Sequence, residues 1–209
     1  MAMYEKVKQH LINSGFKKYN TSTSITVKND MVFSVSPQGL KNDINVWYAI
    51  HPLALPNLNI SMGWSPAAGS FPKVNEEYTS IPYEPGNIEN AMIDEIDKCV
   101  LPFFEKCSSL DDLELLYNKG NFRARYPQSF TLLAMKQYEK GHSMLCDLAG
   151  AFKTEAWGIL EQENVHRYIK METPKEIEIA LESERTNNIR NYKLVNYMKN
   201  ANKAIKTDG

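Results

Sequence analysis

From Thr21 to Ile50 the apolar residues keep a period of two, and only short turns interrupt them. Ile25 and Val27 alternate with Thr26 and Lys28, and Asn29-Asp30 reads as a two-residue turn. Met31–Ser36 follows with Val32, Phe33 and Val35, and Pro37-Gln38-Gly39 is a second turn signal. Asp43–Ile50 then sets Ile44, Val46 and Tyr48 on one side and Trp47 on the other. Parallel neighbours need a crossover of a dozen or more residues, which these turns do not supply, so the sheet is expected to be antiparallel. A fourth strand is expected over Asn57–Trp64, where Leu58, Ile60 and Met62 alternate. Ser65–Gly86, rich in Pro and Gly, reads as a long ordered loop with room for a short edge strand.

Helical patterns flank these strands. Met3–Asn13 spaces Tyr4, Val7, Leu11 and Ile12 along one helix face, and Ser14-Gly15 stops it. Asn87 is expected to cap a helix whose apolar face is Ile88, Met92, Ile96, Cys99, Val100 and Phe103, with a kink or break near Pro102. Ser109-Leu110-Asp111-Asp112 is a capping sequence for a helix that buries Leu113, Leu116 and Tyr117. Helix, antiparallel strands, then helices make an α+β protein, with an antiparallel sheet of four to five strands.

Two stretches carry a likeness. Ser14-Gly15-Phe16-Lys17-Lys18 opens the strand meander, and Ile93–Tyr117 places a helix ending in Leu-Pro-Phe-Phe just before a Ser-Leu-Asp-Asp-Leu helix start. In that order the chain resembles the bacterial family known as domain of unknown function 4304, over residues 1–120. The resemblance implies an α+β fold and a bacterial, cytoplasmic protein. It brings no activity and no catalytic residue.

The remainder, 121–209, reads as helices packed on this α+β part or forming a small second domain. Tyr126-Pro127 leads into Gln128–Glu139, and Gly141 reads as its stop. Ser143 is expected to cap a second helix through Leu145, Leu148 and Phe152, continuing to Trp157 and Asn164. Thr173-Pro174-Lys175-Glu176 is the best start signal in the chain: a capping threonine, proline in the first turn and a glutamate three residues on.

Charge divides at the same place. The formal net charge of the 209 residues is −1, yet 1–120 sums to −4 and 121–209 to +3, and every arginine falls in the second part. Val74–Asp97 holds seven acids and no base, whereas Arg185–Lys206 holds six bases and no acid. The balance argues against a wholesale polyanion binder. No apolar run reaches membrane length, the N-terminus is too polar for a signal peptide, and three cysteines make no disulfide framework. A reduced cytoplasmic protein with no membrane partner is expected.

Motifs for chemistry are mostly missing. There is no GxSxG, GxGxxG or GxxxxGK[ST], so neither a nucleophile elbow nor a phosphate-cradling loop is expected. His142 and Cys146, four apart, would share a helix face, but no CxxC or HxxxH completes four ligands; a capping histidine beside a buried cysteine is expected, with no metal and no cofactor. Cys99 and Cys107 read as core thiols, and Asp94, Glu95 and Asp97 as a solvated helix face. Trp47, His51 and Trp64 form the polar-aromatic group that could line a pocket, with His51 in a loop before Pro52. Glu76, Glu77 and Glu84 are candidate contact points for a basic protein partner. Arg190, Tyr192, Lys193 and Tyr197 could touch phosphates and stack on bases, although they also suit packing on the acidic part or self-association.

The leading expectation is a non-enzymatic binding protein with an acidic face. Its sharper form is an immunity-type protein that neutralises a basic toxin. The alternatives are an enzyme with a pocket around His51, Trp47 and Trp64, and a nucleic-acid contact through the basic C-terminal helix.

Overall fold

A computed structural model describes residues 4–39, 43–58, 60, 73–74, 77–78, 81–82, 86–117, 124–152 and 159–198. Helix α1 (Glu5–Asn13) ends at Gly15, whose φ of +87° only glycine adopts at ease. Strands β1 (Lys17–Lys18), β2 (Ser24–Lys28), β3 (Met31–Gly39) and β4 (Asp43–Pro52) follow, and β7 (Ile81–Pro82) adds an edge. The sheet is antiparallel, in the order β1-β2-β3-β4-β7, as the short turns require. Strands β5 (Lys73–Val74) and β6 (Glu77–Tyr78) pair separately.

Asn29 and Asp30 form the β2–β3 turn, both at positive φ (51° and 59°). Pro37-Gln38-Gly39, expected as a turn, instead completes β3, where Pro37 lies opposite Val46. Pairing with β2 stops at Val35, so Pro37 is not needed as a donor to that neighbour. The expected fourth strand is absent over Asn57, Leu58 and Ile60, and 61–64 lie outside the described residues. Asn57 turns at φ +56°, and Leu58 and Ile60 bury their side chains without joining the sheet.

Alternation gives the sheet two buried faces. Met31, Phe33, Val35, Val46, Tyr48 and Ile50 face α1, α2 (Ile88–Glu95), α3 (Leu101–Glu105) and α4 (Leu110–Leu116). The kink expected near Pro102 takes the form of a π-helical turn, Ile96–Val100, directly before Pro102, which lies near the start of α3. Ile25, Val27 and Val32 occupy the other face, packed with helices of the C-terminal half: α5 (Arg125–Ala134), α6 (Tyr138–Ala151), α7 (Ile159–Tyr168) and α8 (Pro174–Asn191), with α9 (Val195–Met198) against β2. The capping box at Thr173 forms in full. This is an α+β fold whose C-terminal region is mainly helical. No helix among the described residues is long and apolar enough to cross a membrane.

Two helix signals near one another depart from expectation: Ser143, expected as a cap, lies inside α6, and so does Gly141. Gly141 does not end a helix; the chain breaks earlier, at Lys136, with φ +61°. A Cβ at position 141 would stand 2.7 Å from Leu133 Cδ2 and 3.0 Å from the Ser129 carbonyl oxygen. Glycine is there so that α5 and α6 can approach.

Candidate functional site

The structure brings Trp47 and His51 to one face of β4, opposite Ser36 and Val32 of β3. His51 is not in a loop. It is 4% exposed, and burial pushes its pKa down to about 4, so the ring is neutral at pH 7. Its Nε2 has no hydrogen-bond partner among the described residues. Trp64, Glu76 and Glu84 lie outside the described residues, and Glu77 belongs to β6, paired with Val74.

Three acids of the Val74–Asp97 stretch, Glu89, Asp94 and Asp97, already have intramolecular duties. Glu89 accepts the Lys6 amide at 2.8 Å, capping α1 from outside; Asp97 meets His10 at 2.7 Å; Asp94 pairs with Lys98 at 3.1 Å. Glu95 is not on a solvated face. It is 8% exposed, with one carboxylate oxygen buried, and burial raises its pKa.

The aromatic part of the basic C-terminal group is turned inward. Tyr192 and Tyr197 pack on Tyr19 and donate hydrogen bonds to the carbonyls of Leu58 and Lys18, while Arg190 and Lys193 stay exposed. Those rings tie the C-terminal helices to the sheet.

An open groove of about 800 Å³ runs where α4, α5 and α6 meet. Ser109 sets α4 in place, since its hydroxyl accepts the Asp112 amide at 3.1 Å, and the Asp112 carboxylate accepts from the Ser108 amide and hydroxyl, which lowers its pKa. The groove's apolar surface is Leu115, Leu132, Met135 and Met144; Leu115 is 74% exposed. Around it stand Asp111, Glu114, Glu139 and Asp147 against Arg125 and Lys140, an excess of two negative charges. Asp111, Glu139 and Asp147 have no ion-pair partner among the described residues.

A second cleft, about 390 Å³, lies between the β2–β3 turn, the end of β4, α5 and α8. Its charges are already matched. Arg185 binds Asp30 at 2.9 Å and Glu182 at 3.4 Å, while Glu178 holds Lys136 at 3.4 Å and accepts the Tyr138 hydroxyl at 2.5 Å. That hydrogen bond lifts the Tyr138 pKa to about 12 and lowers that of Glu178. A charged ligand entering here must first break an ion pair.

His142 lies within α6 and reaches the Ile169 carbonyl at the C-terminal end of α7, as a capping histidine would, whereas Cys146, expected to be buried, is exposed. No group of three or more metal-ligating side chains occurs among the described residues. Sequence reasoning missed the groove because its acids come from two segments, 111–114 and 139–147, more than twenty residues apart in the chain. Comparison with protein-family models, with curated proteins and with solved structures finds no match to this chain.

Proposed function

We propose that the protein is a binding protein, and that the groove between α4, α5 and α6 receives a basic amphipathic helix of a partner protein. The observation that carries this reading is the coincidence of exposed apolar surface and a net excess of acids: Leu115 stands out in solvent while Asp111, Glu139 and Asp147, with no ion-pair partner among the described residues, outnumber the bases around it. Leucine and methionine floors accept helix side chains, and methionine adapts its shape to them. Acidic surroundings steer a cationic partner and raise its association rate at low salt. The acidic patch expected around Glu76, Glu77 and Glu84 is not needed for this reading.

The test uses a labelled synthetic helix of leucine and lysine, about four turns long. Saturable binding that weakens with salt, and that is lost in Leu115→Asp and in the triple variant Asp111→Lys, Glu139→Lys, Asp147→Lys, supports the proposal. Binding that survives both variants overturns it.

A further inference from the structure

The chain's three cysteines stand in different surroundings. Cys107 is fully buried, its sulfur 3.6 Å from Met31 Sδ, and burial pushes its pKa up to about 11. Cys99 is half-buried beside Glu95, and burial, reinforced by its hydrogen bond to that carboxylate, takes it to about 11 as well. Both stay protonated thiols at pH 7, and the thiol is the unreactive form.

Cys146 is exposed on α6, one turn after His142, and its Sγ lies 3.7 Å from His142 Nδ1. The other ring nitrogen, Nε2, is 3.1 Å from the carbonyl oxygen of Ile169, just past the end of α7. A carbonyl can only accept, so Nε2 carries the ring proton and Nδ1 presents a lone pair to the thiol. The same hydrogen bond ties the imidazole to α7 and fixes its orientation. A nucleophile within reach of a base, with the base oriented by a third group, is the arrangement that nucleophilic thiols require.

We propose that Cys146 and His142 form a nucleophile–base pair that reacts with low-molecular-weight disulfides, making Cys146 a site of reversible mixed-disulfide formation. The Cys146 proton moves to His142 Nδ1, and Sγ attacks one sulfur of the disulfide. The S–S bond of the reagent breaks as the new S–S bond forms, and the departing thiolate takes the proton from Nδ1. One thiol and one disulfide are consumed and one of each is produced, so no outside oxidant is needed. The reaction is independent of the partner groove.

The experiment treats the full chain with hydroxyethyl disulfide, an uncharged reagent, and follows each cysteine by peptide mass. The expected result is one fast equivalent at Cys146, about tenfold faster in the native protein than at the same thiol in the urea-unfolded chain. His142→Gln, in which the side-chain amide can still reach the Ile169 carbonyl but cannot accept the proton, should remove most of that advantage. A fast equivalent at Cys99 or Cys107, or native Cys146 no faster than in the unfolded chain, overturns the proposal. So does an unchanged rate in a folded His142→Gln protein.

Discussion

Asn188 of α8 donates its side-chain amide to two carbonyls from the other half of the chain, Leu53 at 2.7 Å and Leu55 at 2.9 Å. The contact is buried, with Asn188 5% exposed. It binds the turn after β4 to the helical layer, and a neighbouring tie, the Tyr192 hydroxyl to the Leu58 carbonyl, continues the same seam. Residues 53–58 form no ladder, so the carbonyls of Leu53, Leu55 and Leu58 are met by these side chains instead.

Asn188→Ala should therefore destabilise the protein by about 2–3 kcal/mol, because two buried acceptors lose their donor at once. Urea unfolding measures it. A loss below about 0.5 kcal/mol would mean that the carbonyls find other partners.

Gly141→Ala separates two opposing effects. Alanine in a helix interior is worth about 1 kcal/mol over glycine. The new Cβ, however, meets Leu133 and the Ser129 carbonyl at 3.0 Å or less, and Leu133 is itself only 1% exposed. Overpacking of this kind costs about 1–3 kcal/mol, so a net loss is expected, together with a shift of α6 away from α5. A gain in thermal stability would show that the two helices do not need this approach.

These two sites also show what can be read directly from the chain. Asn29-Asp30 and Thr173–Glu176 act through neighbours in sequence, and both were recognisable, because turn and capping chemistry is local. Gly141 carries the same residue type as a helix stop, but its reason is a contact with another helix. Pro37 likewise reads as a turn until the limit of β2 pairing is known. His51 looks like a loop residue beside Pro52, and its burial depends on what covers the second sheet face. The groove was illegible for the same reason: α4 and α6 must meet before Asp111 and Asp147 become neighbours of one surface.

His51 gives the protein an acid-sensitive contribution. The ring titrates near pH 4 when folded, against an ordinary value of 6.5. Between those limits only the unfolded chain takes up the proton, so the contribution is whole above about pH 6.5 and is lost as pH falls towards 4. The shift corresponds to about 3 kcal/mol. His51→Gln, which cannot titrate, should flatten the fall of unfolding free energy across that window relative to the parent protein. Parallel curves for the two proteins would mean that His51 titrates alike in both states.

Truncating the cap of α4 tests how firmly the groove is built. Ser109→Ala removes the acceptor for the Asp112 amide and should cost about 1 kcal/mol in stability. It should also weaken binding of the leucine–lysine helix, because Asp111, Glu114 and Leu115 all ride on α4. Full affinity in a protein destabilised by that amount would mean that α4 is not part of the docking surface.

The most direct test of the binding account is to map amide chemical shifts as the leucine–lysine helix is titrated into the full chain. The account predicts saturable shifts confined to α4, the end of α5 and the first two turns of α6, centred on Leu115, Met135 and Met144, and suppressed by added salt. Shifts that never saturate, or that centre on the Arg185–Asp30 cleft instead, would contradict it.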